Sequence, residues 1–183
     1  LNSGRLPLRV LITGVTGMAG SHLAEYLVKK PDILLFGTYR WRSRLENLAE
    51  LQACGRVNFI AEGGNLHNPD VVRRLVEEQA KPGVLNLIEA DWTDPFSTHN
   101  VIAAVRPDRI FHLAAQSFVP TSWNAPAETI RLNALMQLNI FEAVRREKLD
   151  PRIHIAGSSE EYGYVKPEEL PIKETNPLRP LSP

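Results

Sequence analysis

The sequence lacks the features that define several specialised classes of protein. Its single cysteine, Cys54, excludes a disulfide framework, so we expect an incidental thiol and a reducing compartment. Basic and acidic residues balance at 21 each, which gives the chain no electrostatic reason to bind nucleic acid or a membrane. No apolar run reaches the roughly 18 residues that span a bilayer, and the opening LNSGRLPLRV has no apolar signal-peptide core. We expect a cytoplasmic protein without a metal site.

What the sequence does contain is an alternation of short apolar runs and amphipathic helical patterns. This alternation predicts an α/β fold, a doubly wound parallel sheet of the Rossmann type with helices on both faces. A chain of 183 residues suffices for one such domain. Residues 56–62 are either a further strand or part of an insertion. The predicted strands are residues 8–13, 33–39, 84–90, 109–115 and 152–158, and the predicted helices are residues 18–30, 68–80, 96–105 and 127–148.

Three glycines connect the first predicted strand to the first predicted helix. In ITGVTGMAG, Gly14 permits a tight turn, Gly17 lets the backbone approach a pyrophosphate, and Gly20 allows close packing of helix on strand. The helix N-terminus then offers free N–H groups and a positive dipole to phosphates. The motif predicts dinucleotide binding, with an ordinary strand-to-helix turn as the alternative. The residues expected at the cofactor are Gly14, Thr16, Gly17, Met18, Ala19 and Gly20.

The end of the second predicted strand indicates which dinucleotide is bound. An acidic residue there favours the ribose 2′-hydroxyl of NAD, whereas an arginine favours the 2′-phosphate of NADP. The sequence GTYRWRSR has no acid at this place and carries Arg40, Arg42 and Arg44 instead. Because a guanidinium group suits phosphate geometry, we predict NADP bound through Arg40. NAD is the second cofactor to consider, and a solvated basic loop is the alternative interpretation.

Four motifs, in this order, carry a resemblance to a known family: TGVTGMAG, EADWTD, FHLAAQS and AGSSEEYG. With them the chain resembles the extended short-chain dehydrogenase/reductase superfamily, which includes the NAD-dependent epimerases and dehydratases. It is most similar to the nucleotide-sugar branch, to GDP-mannose 4,6-dehydratases and GDP-4-keto-6-deoxymannose reductases. The resemblance covers nearly the whole chain except about residues 45–81. It implies conversion of GDP-mannose to GDP-4-keto-6-deoxymannose by internal hydride transfer through bound NADP.

The resemblance also assigns residues after the third and fourth predicted strands. It places Asp91 at the adenine with Trp92 beside it, although an aspartate at a strand end is also a good turn cap. His112, inside an apolar strand, is expected to be a hydrogen-bonded core residue. Asn133 resembles the structural asparagine of the superfamily, with a solvent-facing helix residue as the alternative. The residues implied to run along the cofactor are Leu113, Ala114 and Ala115, and those implied to face the substrate are Gln116 and Ser117.

The motif AGSSEEYG, after the fifth predicted strand, carries the implied catalytic residues. By the resemblance, Ser158 hydrogen-bonds the reacting sugar oxygen and Glu160 removes the C5 proton. Oxidation at C4 makes that proton acidic, so a carboxylate within hydrogen-bond reach can act as the base. The alternative is that Ser158 and Glu160 only cap a loop. Glu161 is expected to be a solvated neighbour.

The family also uses a Tyr-x-x-x-Lys pair on the next helix, and the sequence does not supply it there. The segment RPLSP, which normally precedes the pair, ends the sequence, and Tyr164 is followed at the fourth place by Glu168. We therefore expect residues 1–183 to be the dinucleotide-binding domain of a longer enzyme, inactive alone, with the carboxyl-terminal substrate lobe missing.

Other functions are compatible with the same residues. A GDP-4-keto-6-deoxymannose reductase, or another nucleotide-sugar epimerase or dehydratase, also fits SSEEYG and NPLRPLSP. A non-catalytic dinucleotide-binding module fits the missing tyrosine and lysine, although Ser158 and Glu160 argue against it. A protein-interaction domain is a third interpretation, because the superfamily usually dimerises through a four-helix bundle that would include residues 128–148. From the resemblance we expect a nucleotide-sugar substrate and a homodimer or homotetramer.

Overall fold

The central element is a parallel sheet whose strands were mostly predicted from the sequence. A computed structural model describes residues 6–60 and 68–183. Within these ranges the chain forms one sheet of six strands in the order β3-β4-β2-β1-β5-β6, and all the neighbouring pairs are parallel. The strands are β1 (Leu8–Thr13), β2 (Ile33–Tyr39), β3 (Val57–Ile60), β4 (Leu85–Glu89), β5 (Arg109–His112) and β6 (Arg152–Ile155).

Helices connect successive strands, as parallel pairing requires. They are α1 (Met18–Leu27), α2 (Ala49–Ala53), α3 (Pro69–Gln79), α4 (Pro95–Val105), α5 (Val119–Asn124) and α6 (Pro126–Arg146). Two N-termini are closed by side chains: the Asn68 carboxamide oxygen accepts from the Asp70 amide at 2.9 Å, and the Asp94 carboxylate accepts from the Ser97 amide at 2.7 Å. A proline at the first turn follows each of these caps.

The structure decides one strand that the sequence left open and corrects the ends of two others. Residues 57–60 form the sixth strand, β3, at the sheet edge, and the remainder of the proposed 56–62 strand includes residues outside the described ranges. β5 ends at His112 and β6 at Ile155, three residues earlier than predicted in each case. The residues that follow are apolar or small and leave the sheet to line a cleft. Their composition alone therefore gave no signal of the strand end.

The core lies on both faces of the sheet because the side chains of each strand alternate. Leu11, Phe36 and Ile110 pack against α3, α4 and α6 on one face. Val10 and Ile12 pack against α1 on the other face. The strand order reverses between β1 and β5, which places a crevice outside the carboxyl ends of these two strands. Among the described residues, no helix is both long enough and apolar enough to cross a bilayer.

Candidate functional site

The glycine turn, residues 14–20, lies at the carboxyl end of β1 and is held by close backbone contacts. Gly14 has a φ of +66°, and a Cβ added there would lie 2.8 Å from the Ala114 Cα. A Cβ at Gly20 would lie 2.5 Å from the Gly14 carbonyl oxygen. Both distances are shorter than a carbon can tolerate against backbone. The first and third glycines therefore let the turn pack against the segment after β5 and against the start of α1.

The N-terminus of α1 is open at this turn. Gly17 is the N-cap residue and donates its own amide to the Gly14 carbonyl at 3.0 Å. No side chain among the described residues caps this end of the helix. By helix geometry, the amides of Met18, Ala19 and Gly20 have no acceptor within α1. These N–H groups, with the helix dipole, form a site of positive potential that suits an anion such as a phosphate.

A cleft of about 490 Å³, hereafter the first cleft, opens beside the glycine turn. The turn forms one wall, and the ends of β2, β4 and β5 form the others. All the residues that the sequence analysis assigned to a cofactor line this one cleft. They are Gly14, Thr16, Gly17, Met18, Ala19, Gly20, Arg40, Asp91, Trp92, Leu113, Ala114 and Ala115.

The arginines of the basic loop, residues 40–44, lie in different surroundings. Arg40 lines the first cleft together with Ser43. The Ser43 hydroxyl accepts from the Arg40 amide at 3.0 Å, and the Ser43 amide donates to the Arg40 carbonyl at 2.7 Å, which closes a tight turn. The Arg42 guanidinium instead lies over the exposed Trp41 ring, 4.2 Å from its centroid. Arg40 is therefore the arginine of the loop that the structure places at the cleft wall.

Asp91 and Trp92 lie together at the end of β4 but differ in exposure. One Asp91 carboxylate oxygen accepts from the Thr93 amide at 2.9 Å and from the Thr93 hydroxyl at 2.7 Å, so Asp91 does cap a turn. It also lines the first cleft and is exposed there. Trp92 is only 4% exposed, and its indole N–H donates to the Thr38 hydroxyl at 2.8 Å. Trp92 thus forms part of the floor of the cleft.

Thr13 and His112 fix the start of the segment that follows β5. The Thr13 hydroxyl oxygen accepts from the Leu113 amide at 3.2 Å and from the Ala114 amide at 3.1 Å. The same hydroxyl lies 2.8 Å from His112 Nδ1. Because its oxygen already accepts two N–H bonds, we infer that it donates its proton to Nδ1 of a neutral imidazole. Burial lowers the pKa of His112 below its ordinary value. The expectation of a hydrogen-bonded core histidine is confirmed.

Asn133 of α6 holds the same segment from the other side. Its Oδ1 accepts from the Gln116 amide at 2.8 Å, and its Nδ2 donates to the Gln116 carbonyl at 3.0 Å. The solvent-facing interpretation of Asn133 is therefore wrong. The Gln116 side chain folds back onto its own loop, because its Oε1 accepts from the Phe118 amide at 2.8 Å and its Nε2 donates to the Thr129 hydroxyl at 3.2 Å.

A second cleft of about 400 Å³ lies beyond this segment. It contains both predicted catalytic residues, Ser158 and Glu160, as well as Glu161. The Ser158 hydroxyl accepts from the Glu160 amide at 3.2 Å, so the capping role of Ser158 is present, and both side chains are exposed at the cleft. The two clefts share residues 113–117 as a common wall, so Gln116 and Ser117 lie at their boundary.

Several wall residues were missed by the sequence analysis. Thr38, Ser43, Leu132 and Met136 line the first cleft, and Thr129 lines the second. They come from elements distant in sequence, so only the fold brings them to the site. Ser43, inside the basic motif RWRSR, is the one member that a local signal could have indicated.

Two tyrosines have a lysine four residues later, Tyr26 with Lys30 and Tyr162 with Lys166, and none of these four residues lines either cleft. Tyr26 and Lys30 are at the end of α1, and the Lys30 ammonium lies over the Tyr26 ring at 4.4 Å from its centroid. Tyr26 is exposed, and neither residue contributes to the walls of the two clefts. Tyr162 and Lys166 lie in the turns after β6 and not on a helix that follows RPLSP. Neither pair therefore has the placement that the resemblance requires of the acid/base pair.

The fold, with its glycine turn and adjoining clefts, defines a Rossmann-like α/β domain. The model of the NAD dependent epimerase/dehydratase family matches residues 10–183. The chain belongs to this family, within the extended short-chain dehydrogenase/reductase superfamily.

Curated relatives in this family carry dehydratase names. GDP-mannose 4,6-dehydratase of Vibrio cholerae serotype O1 is 32% identical over 176 residues, which cover 94% of this chain and 40% of that protein. GDP-mannose 4,6 dehydratase 2 of Arabidopsis thaliana is 33% identical over 177 residues, which cover 94% of this chain and 41% of that protein. The chain thus spans less than half the length of these relatives.

Solved structures show the same fold. UDP-glucose 4-epimerase of Thermus thermophilus in complex with NAD is 25% identical, with a TM-score of 0.67 over 96% of this chain and 45% of that chain. UDP-glucose 4-epimerase of Thermotoga maritima with UDP-glucose is 21% identical, with a TM-score of 0.68 over 96% of this chain and 46% of that chain. The second similarity supports the fold alone.

Proposed function

We propose that the first cleft binds a nicotinamide dinucleotide, with its pyrophosphate at the glycine turn and the N-terminus of α1. The observation that carries this proposal is the turn itself. At Gly14 and Gly20 a Cβ atom would clash with neighbouring backbone. Gly17 is followed by Met18 and Ala19, whose amides are uncapped at the N-terminus of α1. The residues present therefore fit the group. We also propose NADP over NAD, because the described wall at the end of β2 carries Arg40 and Ser43.

The reaction that this site supports best is the 4,6-dehydration of a nucleotide sugar, with GDP-mannose as the substrate. The relatives named above and the acid at position 160 support this choice. When bound, NADP⁺ would accept the hydride from C4 of the hexose and return it to C6. Water is lost between C5 and C6, so the product is GDP-4-keto-6-deoxymannose and the redox state of the cofactor is unchanged overall.

The residues of this chain would transfer protons and position the hexose. The Ser158 hydroxyl would hydrogen-bond the C4 oxygen, which becomes a ketone. The C4 hydroxyl proton would go to the acid/base tyrosine expected beyond this chain. The Glu160 carboxylate would take the proton from C5 and deliver it to the departing C6 hydroxyl, which leaves as water, and C5 would regain a proton from solvent after the hydride adds to C6. Both side chains lie in the second cleft, and Ser117 lies on the wall that separates it from the first cleft. The hexose would therefore bind in the second cleft, against residues 113–117.

We further propose that residues 1–183 are the dinucleotide-binding part of a longer, dimeric enzyme. The greater length of the curated relatives supports the first point. The outer face of α6 supports the second, because Ile130, Leu138 and Phe141 are exposed along it. The acid/base tyrosine and the residues that recognise the nucleotide would then lie in the part of the enzyme beyond this chain.

The experiment that tests the function uses the enzyme expressed from its full reading frame. It is incubated with GDP-mannose and NADP⁺ without any added reductant, and the product is analysed by mass spectrometry. The proposal predicts a product lighter than the substrate by the mass of one water molecule. Turnover only of a 4-keto sugar with NADPH would instead identify a reductase. No turnover with either substrate, together with retained dinucleotide binding, would favour a non-catalytic module.

A further inference from the structure

Asn47 joins two walls of the first cleft that are far apart in sequence. Its Nδ2 donates a hydrogen bond to the Thr16 carbonyl oxygen at 2.8 Å. Thr16 belongs to the glycine turn, and Asn47 follows the basic loop that carries Arg40 and Ser43. Asn47 does not itself line the cleft. The bond therefore connects the wall placed for a pyrophosphate with the wall placed for a 2′-phosphate.

Leu48, the residue after Asn47, fixes the backbone position from which the Asn47 side chain reaches the glycine turn. Leu48 is fully buried and packs in the same cluster as Val15, the residue before Thr16. Its amide also donates to the Leu45 carbonyl at 2.8 Å, within the 3-10 turn Glu46–Leu48. Residues 40–47 are thus held at one end by β2 and at the other by Leu48 and the Asn47 hydrogen bond.

The glycine turn has its own supports and does not depend on Asn47 for its shape. Gly17 donates to Gly14 at 3.0 Å, and Gly20 packs directly on the Gly14 carbonyl. Ala114, against which Gly14 lies, is fixed by Thr13. Loss of the Asn47 bond would therefore displace residues 40–47 relative to the turn, while the turn itself keeps its geometry.

We propose that Asn47 is a positioning residue that sets the selectivity for NADP over NAD. This inference rests on the proposed function, namely a dinucleotide in the first cleft with its 2′-phosphate at Arg40. Asn47 holds Arg40 and Ser43 at a fixed distance from the pyrophosphate site. NADP engages both walls at once, so it needs that distance to be fixed, whereas NAD has no 2′-phosphate and depends mainly on the glycine turn.

The test compares dissociation constants for NADP⁺ and NAD⁺ by isothermal titration calorimetry, with the enzyme from its full reading frame. Asn47→Ala and Asn47→Leu both remove the donor, and the leucine keeps the volume of the side chain. Gln52→Ala, an exposed position on the neighbouring α2, is the matched control. Both Asn47 variants should weaken NADP⁺ about three- to tenfold, the range for one hydrogen bond, and NAD⁺ less than about twofold. Gln52→Ala should change neither.

The outcomes separate this inference from the function on which it rests. Equal weakening of the two dinucleotides in the Asn47 variants, or no weakening of either, would overturn the inference and leave dinucleotide binding in place. Failure of the unsubstituted enzyme to bind either dinucleotide would overturn the proposed function and the inference with it. Thermal unfolding midpoints within about 2 °C of the unsubstituted enzyme would confirm that the variants are folded.

Discussion

Asn133 of α6 forms two hydrogen bonds to the backbone of Gln116, one to its amide and one to its carbonyl. This pair ties the longest helix among the described residues to the segment that separates the two clefts. A side chain on this helix thereby holds, from the side opposite Thr13, a wall common to both proposed ligands.

The first prediction concerns this pair. Asn133→Ala should lower the free energy of unfolding by about 1–3 kcal/mol, because two partly buried backbone groups of Gln116 lose their partner. Asn133→Asp should lower the free energy of unfolding by less than Asn133→Ala does. The aspartate keeps the acceptor for the Gln116 amide, but its second oxygen faces the Gln116 carbonyl and cannot donate to it. Urea denaturation measures both values. Glu142→Gln, on the exposed side of the same helix, should change stability by less than about 0.5 kcal/mol. Equal effects of all three substitutions would contradict this role for Asn133.

The second prediction concerns Arg40. Arg40→Asp should weaken NADP⁺ by roughly tenfold to a hundredfold, because it removes a charge-assisted hydrogen bond and adds repulsion. NAD⁺ should be affected far less. Arg74→Asp makes the same change in charge on the exposed side of α3 and should leave both affinities unchanged. If Arg40→Asp weakened the two dinucleotides equally, the assignment of Arg40 to the 2′-phosphate would be rejected.

The third prediction separates backbone strain from steric conflict in the glycine turn. Gly14 and Gly55 have nearly the same φ, +66° and +65°, but only Gly14 has backbone within 4 Å of the Cβ position. Gly55→Ala should therefore cost only the conformational strain, about 1–2 kcal/mol. Gly14→Ala should cost about 1–3 kcal/mol more and should also weaken dinucleotide binding, because the turn must move away from Ala114. Chemical denaturation and dinucleotide titration of both variants check the difference.

The fourth prediction concerns His112 and pH. Its pKa in the folded protein is lowered from 6.5 by burial. The unfolded chain therefore binds a proton at His112 before the folded protein does, as the pH falls below about 6.5. The stabilisation that neutral His112 gives to the folded protein is fully present above that pH and is lost progressively as the pH falls to the folded pKa. The free energy of unfolding then changes by at most about 1.4 kcal/mol per pH unit. His112→Gln should remove this slope between about pH 7.5 and 5.5, the window around the unfolded pKa. An unchanged slope in the variant would contradict a neutral buried His112.

The sequence predicted most of the sheet because strands buried on both faces read as continuous apolar runs. The glycine turn was predictable for a similar reason, since its spacing and its place between strand and helix are local. Strand ends were less predictable: Leu113 and Ala114 are apolar like the strand before them, although they line a cleft.

The supporting contacts of the site could not be predicted from the sequence. The bonds from Asn47 to Thr16 and from Trp92 to Thr38 join residues 31 and 54 positions apart. Such pairs have no spacing signal, because they depend on how the strands are ordered in the sheet. The residue types at the site were therefore largely predictable from motifs, whereas the side chains that hold them in place were found only in the structure.

The most direct test of the proposed reaction follows one hydrogen atom. GDP-mannose carrying deuterium at C4 is incubated with NADP⁺ and the enzyme from its full reading frame, and the product is analysed by NMR. Internal transfer within one closed site predicts that the deuterium is found at C6 of the 4-keto-6-deoxy product. A product without deuterium at C6, or label accumulating in the dinucleotide, would contradict the account.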